Sequence, residues 1–356
     1  MDIFALLRRL TETPGIPGHE GPVRAVIEEE MRPLVDEMRT DALGSLVGLK
    51  RATRREPSDS PAPRIMLAAH MDQIGFMVSG IAAGGFLRIV PVGGIDERTL
   101  AGQEVAVHAA EGTIPGVIAT RPPHLLTGDQ GGKVIELGDL FVDLGLSEAD
   151  VRARIAVGDP ITFRRPMIEW LNGRVAGPAM DNRASVACLL ATLAALQRAP
   201  HAWDVYAVAT VQEEFGFRGA ITATFHIMPQ VGIAIDVGFG QQPGAPDDQT
   251  FPLGQGPSVG FGPNIHPRIH NRLMATAREY EIPVHVEPMP GSSGTDAMVM
   301  QVAQSGVATG VLSLPTRYMH SPVETLAVRD IDRTARLLAL FISDLDDAFV
   351  TALTDW

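Results

Sequence analysis

The chain has 356 residues, enough to bury one full hydrophobic core and to leave room for a second. Apolar residues make up 45% and charged residues 20%, with 36 glycines and 27 prolines, which excludes a disordered or fibrous chain and implies many turns. A net charge of −13 argues against a nucleic-acid phosphate backbone as partner.

The N-terminal run from Met1 to Arg9 does not form a signal peptide, and no apolar stretch reaches the roughly 18 residues needed to span a bilayer. No membrane partner is expected. The only cysteine, Cys188, rules out an intrachain disulfide, and a reducing cytoplasm is the expected compartment. Its Ala and Leu neighbours mark it as a small core residue.

Apolar spacing predicts helices over Ile3–Leu10 and Pro22–Met31, with a Pro/Gly turn cluster at 14–18 between them. Residues 52–63 are charged and Pro/Ser-rich and read as an exposed loop. Ile65–Ala69 is a short apolar run that ends at His70, the pattern of a buried strand. From 74 to 166 the texture changes to short alternating runs such as Phe86–Val90, Glu104–His108 and Gly116–Ala119, punctuated by Gly and Pro, which reads as a small all-β insert.

After the insert, helices and strands alternate. Helices are predicted at Ala184–Gln197, Pro267–Glu281, Asp296–Gln304 and Asp330–Ala348, the last carrying Ile331, Ala335, Leu338, Phe341 and Leu345 on one stripe. Strands are predicted at Val205–Val211, Val231–Ile235 and Val307–Leu314. The alternation implies an α/β core with a largely parallel sheet. The domains are then 1–73 with 167–356, interrupted by 74–166.

Five residues carry the chemistry: His70, Asp181, Glu214, Asp236 and His320. Parallel sheets place their sites at the carboxyl ends of the strands. His70 and Asp236 end apolar strand runs, Glu214 and His320 follow strand runs by short loops, and Asp181 opens a helix, where a carboxylate suits the positive end. Two imidazoles and three carboxylates suit divalent zinc or cobalt, with manganese also acceptable. A two-metal site needs a bridging carboxylate, for which Asp181 is the natural choice. His70 and Asp236 are assigned to one metal, Glu214 and His320 to the other. Asp72, two residues after His70, can accept the spare ring N–H of that histidine. Glu213 can act as general base toward a water whose pKa the metals lower. Each residue also has a plain reading: an Asp at a helix start is often a cap, and a Glu-Glu pair is usually solvated. That reading must hold five times independently.

Taken with their neighbours, these stretches resemble the glutamyl/deblocking aminopeptidase family of co-catalytic metallopeptidases, also called tetrahedral aminopeptidases. The matching segments are 69–75, 177–183, 211–220, 294–297 and 315–324, with 10–18 at the start, so the resemblance covers nearly the whole chain. It implies a three-layer metallopeptidase core of the phosphorylase/hydrolase type, with a small β-barrel or PDZ-like dimerisation domain inserted after the His-x-Asp strand. It also implies removal of N-terminal residues from peptide substrates, Glu213 as base, Asp72 as partner of His70, and a homododecamer built from dimers. Relatives often have a cis peptide bond after the bridging Asp. This chain departs from the pattern at Asn182, where many relatives carry Asp, and at Phe215 and Phe217, where smaller aliphatics are common.

Rival readings remain. A deacylase or desuccinylase can use the same ligands but inserts a βαβ domain later in the chain. Some relatives carry an endoglucanase label, yet a glycosidase needs two carboxylates flanking a sugar and no metal pair. A non-catalytic assembly protein is expected to have lost Glu213 or a ligand. His266 and His270 form a second, weaker ligand pair by spacing. The glycines of 254–262 lack the frame of a phosphate loop. Gly294-Thr295-Asp296 either caps a helix or shapes the substrate pocket.

Overall fold

The computed structural model describes residues 1–55, 60–122, 124 and 135–354. Helices α1 (Ile3–Glu12) and α2 (Gly21–Met31) lead to a hairpin of β1 (Glu37–Thr40) and β2 (Leu46–Lys50), then to β3 (Arg64–His70). Strands β4 (Gly75–Ile81), β5 (Leu87–Val92), β6 (Glu104–Ala109), β7 (Gly112–Ala119) and β8 (Phe141–Asp143) follow. Helix α3 (Glu148–Arg154) and β9 (Pro160–Phe163) come next, then β10 (Ile168–Trp170) and β11 (Arg174–Gly177). The remainder is α4 (Met180–Leu196), β12 (Asp204–Thr210), α5 (Arg218–Ile227), β13 (Val231–Phe239), β14 (Ser258–Phe261), α6 (Pro267–Glu279), β15 (His285–Pro288), α7 (Ala297–Gln301), β16 (Ala308–Thr316), β17 (Glu324–Ala327), α8 (Val328–Ser343) and α9 (Asp347–Ala352).

Among the described residues the central sheet has eight strands in the order β1-β2-β12-β3-β13-β16-β14-β15. The middle four are mutually parallel. Both faces of β3 are covered, as its unbroken apolar run requires. Ile65, Leu67 and Ala69 join the core formed with α1, α4 and α8, whereas Met66 and Ala68 join a second cluster with Ala220 and Ala223 of α5 and Met300 of α7. The period-two alternation of the strand divides the side chains between two helical layers. Helix α1 starts where Asp2 accepts the Ala5 N–H, and it buries Leu6, Leu7 and Leu10 against this core.

Strands β4 to β9 close into a barrel in the order β4-β5-β8-β7-β6-β9. Its interior is filled by Phe76, Val105, Val107, Ile118, Val142 and Ile161, and Phe76 meets Phe163 edge-on at a centroid distance of 5.7 Å. The fold is thus the expected α/β core with a largely parallel sheet and a small β-barrel.

Several local expectations need correction. The hairpin β1–β2, strands β10, β11, β14, β15 and β17 and helix α5 had no expectation; the strands are only three to five residues long, too short to carry a period. The helix expected over Asp296–Gln304 is confined to Ala297–Gln301, and Gln304 has φ 51°. The final helix divides in two: α8 ends at Ser343, and Asp346 restarts the chain as α9 by accepting the Phe349 N–H. Ile331, Ala335, Leu338, Phe341 and Leu345 are all buried, as the stripe required.

Candidate metal centre

The parallel strands β12, β3, β13 and β16 end on one edge, and the polar residues gather there. His70 is the last residue of β3 and lies level with Thr210 at the end of β12. Glu213 and Glu214 follow in the loop after β12. Asp236 stands level with Ser313 of β16, but β13 continues past it to Phe239, so Asp236 projects from within a strand and not from its end. Asp181 sits in the first turn of α4 with non-helical angles, φ −78° and ψ 104°. His320 lies in the loop between β16 and β17.

The backbone is bent to aim these side chains. Ala179, Gln212 and His320 have φ of 59°, 56° and 61°, in the left-handed region that costs an L-residue about 1–2 kcal/mol. Gln212 immediately precedes Glu213, Ala179 lies two residues before Asp181, and His320 is itself a site residue; such strain concentrates at functional sites. The Asp181–Asn182 peptide bond is cis. Asn182 is buried and donates to the carbonyl of Ile235, which ties the turn to β13 beside Asp236.

All five residues converge, and Asp181 is central. Its Oδ1 lies 3.2 Å from His70 Nε2 and its Oδ2 3.3 Å from His320 Nε2. Asp236 Oδ1 stands 3.8 Å from His70 Nε2, and Glu214 Oε1 stands 3.5 Å from His320 Nε2. Three overlapping groups of candidate ligands result, His70–Asp181–Asp236, Asp181–Glu214–His320 and His70–Glu213–Glu214. Glu213 Oε2 is 3.8 Å from His70 Nε2.

Asp72 is placed differently from the strand-alternation expectation, because β3 stops at His70. The nearer partner of His70 Nδ1 is the Asp72 backbone carbonyl at 3.2 Å; the carboxylate is 3.6 Å away. That carboxylate accepts the backbone N–H groups of Glu213 and Glu214, each at 3.1 Å, and so holds the Glu-Glu turn.

The charge balance calls for cations. Burial, helped by the Asp236 and Asp296 carboxylates, pushes Glu213 up to about 10, and burial with Asp181 pushes Glu214 up to about 8. Burial also raises Asp236 well above the carboxylate range. Burial opposes a charge on His70, yet Glu213, Asp181 and Asp72 outweigh it and hold the ring well above its usual pKa. His320 is raised to about 9, chiefly by Asp181. Burial would raise Asp181 too, but its contacts with His320 and His70 keep it below the usual range. Asp181 Oδ1 and Glu214 Oε1 are buried without a hydrogen-bond donor. Orphaned carboxylate oxygens beside imidazole nitrogens are what divalent cations satisfy, and a bound cation reverses the pressure to protonate. The residues present therefore fit zinc, cobalt or manganese.

Sequence reasoning missed two contributors, Glu324 and Gly94, and left the role of a third, Asp296, open between a helix cap and the pocket. Glu324 is buried and accepts from the backbone N–H groups of both Asp181 and His320. Asp296 is 2% exposed, receives the Thr210 hydroxyl at 2.6 Å, leaves Oδ1 unpartnered and has its pKa pushed up to about 6 by burial. Thr295, not Asp296, offers a capping oxygen, to the Ala297 N–H. Gly94, just beyond β5 of the barrel, lies so close that a Cβ would stand 3.1 Å from His320 Nδ1. The acidity of 294–296 was visible in the sequence; the approach of the barrel had no sequence signal. His266 and His270 form no ligand pair: the first bonds the Leu353 carbonyl and the Arg268 N–H, the second the Gly260 carbonyl at 2.8 Å.

Comparison with known proteins finds relatives over nearly the whole chain. A family model for M42 glutamyl aminopeptidase matches residues 51–337. The lysyl aminopeptidase of Pyrococcus furiosus is 40% identical over 96% of this chain and 97% of its own. An aminopeptidase structure from the archaeon Desulfurococcus kamchatkensis superposes with a TM-score of 0.91 at 36% identity, covering 99% of this chain and 98% of that one. The TET1 peptidase of Pyrococcus horikoshii, which can assemble into a tetrahedron or a large octahedral shell, gives 0.84 at 30% identity over 97% of this chain and 100% of that one.

Proposed function

We propose, because the chain belongs to the M42 glutamyl aminopeptidase family and is a peptide hydrolase, that its buried imidazole–carboxylate cluster holds two divalent cations and releases N-terminal residues from peptides. One observation carries the two-metal reading: the two oxygens of Asp181 face His70 and His320 separately, at 3.2 and 3.3 Å, and each histidine has its own further carboxylate. His70 and Asp236 would hold one cation, Glu214 and His320 the other, with Asp181 between them. Zinc and cobalt suit these donors best, and manganese is acceptable. Bound there, the cations supply Lewis acidity to the scissile carbonyl and lower the pKa of the attacking water.

The chain's own residues do the rest. Glu213 lines the cavity with Glu214 and is placed to take the proton of the attacking water and pass it to the leaving amine. Asp72 fixes the turn that presents Glu213, by accepting its N–H and that of its neighbour. The single buried cysteine, Cys188, suits a cytoplasmic setting. Division into a catalytic part (1–73 and 167–356) and a barrel domain (74–166) is part of the same reading, with the barrel serving dimer contacts.

Self-association into twelve subunits is proposed from the similarity to the PhTET1-12s structure, which has a dodecamer in its asymmetric unit, at a TM-score of 0.84 and 30% identity. Elemental analysis together with digestion of matched free and N-acetylated peptides tests the reading. Two metal equivalents per chain and cleavage of only the free peptide are expected. One equivalent, or equal cleavage of both peptides, would overturn it.

A further inference from the structure

The cavity in front of the cluster measures about 480 Å³, within the range of ligand-binding sites. Phe217, Phe239, Met289 and Met319 give it apolar walls. Besides the acids of the cluster, one more carboxylate lines it, Glu287 of β15, and no lysine or arginine does so among the described residues.

The sheet delivers Glu287 to this place. Asp236 is level with Ser313, Ser313 is level with Ser258, and the Ser258 hydroxyl donates to Glu287 Oε2 at 2.6 Å. That bond orients the carboxylate and leaves Oε1 for a ligand. Oε1 lies 3.5 Å from where a Cβ on Gly238 would stand, and Gly238 is two residues past Asp236 on the same strand face. A side chain at position 238 would fill the gap between them. None of the described lysines, arginines or histidines pairs with Glu287.

We propose that this cavity receives the side chain of the substrate's N-terminal residue and that Glu287 selects a basic one, lysine or arginine, over leucine and over glutamate. The inference rests on the aminopeptidase reading above. A lysine stem spans roughly 6 Å, close to the about 6.7 Å between residues i and i+2 of a strand, so an ammonium can reach Glu287 from an amide held near Asp236. Its methylenes lie against the Phe and Met walls. Two dications held there would balance Asp181, Glu213, Glu214 and Asp236, which leaves Glu287 as the further carboxylate lining the cavity. A glutamyl side chain meets it as a like charge, and a leucyl side chain leaves it unpaired.

The experiment compares kcat/KM for the p-nitroanilides of lysine, arginine, leucine and glutamate in wild type, Glu287→Gln and Glu287→Lys, all loaded with cobalt chloride. Wild type is expected to favour lysine and arginine roughly tenfold or more. Glu287→Gln should reduce the lysine-to-leucine ratio by at least about tenfold, mainly through KM, since the ion pair forms in both ground and transition states. Glu287→Lys should raise glutamate relative to lysine. Ratios are read on one preparation, so a loss of folded protein cancels. Turnover with leucine or glutamate preferred, or an unchanged ratio in Glu287→Gln, overturns this inference and leaves the aminopeptidase reading standing. No turnover of any of the four substrates overturns that reading itself.

Discussion

Glu324 Oε2 accepts the backbone N–H of Asp181 at 2.9 Å, across 143 residues of sequence. Its other oxygen accepts the N–H of His320 at 2.8 Å. One buried carboxylate therefore fixes the central carboxylate and the outer imidazole relative to each other. Glu324→Gln turns one acceptor into a donor facing an N–H and is expected to weaken metal binding about 10- to 100-fold, the usual cost of losing a group that orients a ligand. Chelator competition measures this; unchanged affinity would remove Glu324 from the positioning role.

Glu213 is the proposed proton carrier. Glu213→Gln keeps the size of the side chain but loses the base, so a loss of at least about two orders of magnitude in kcat is expected with both metals retained. Near-wild-type turnover in a variant carrying two metal equivalents would sink the assignment.

Asp181 faces both histidines, His70 with Oδ1 and His320 with Oδ2. Asp181→Ala should lose both metals together, because each then keeps only one imidazole and one carboxylate of its own. Two bound equivalents by elemental analysis would refute the bridging role.

Metal-free protein should lose stability as pH rises. Glu213 and Glu214, raised to about 10 and about 8, bind protons in the folded chain that the unfolded chain releases above about pH 4.3. The resulting stability is full below that value and is lost as pH climbs through 8 toward 10. His70 and His320, also raised, act in the same direction. Asp181 has the opposite sign, but its window lies below the ordinary carboxylate range. Chelator-treated protein should melt lower at pH 9 than at pH 6, and added zinc should narrow the difference by replacing protons with cations. A metal-free melting temperature that rises over this interval would contradict the charge balance of the site.

The strand runs around His70 and Asp236 were legible because a buried strand must be apolar and a polar residue within or after it needs a reason to be there. The α4 and α8 helices were legible from apolar spacing. The hairpin β1–β2 and the strip β10-β11-β17 were not, since short strands carry too few residues for a period and depend on pairing with remote segments such as Glu324–Ala327. Asp72 shows the limit of local geometry. Its spacing from His70 was read as strand alternation, but β3 ends at His70; the carboxylate stands 3.6 Å from His70 Nδ1 and also accepts from the Glu213 and Glu214 backbone.

By itself, the sequence determined the chemical class: two imidazoles, three carboxylates and a further glutamate, set against strand ends and a helix start, point to a metallopeptidase. Those residue types and local patterns are written along the chain. Only the tertiary structure decided which oxygen faces which nitrogen, that Glu324 holds Asp181 and His320, that Gly94 of the barrel closes over His320, and that Glu287 faces the cavity. Each of these depends on the distance between segments remote in sequence, which sheet order and packing set and local pattern does not encode.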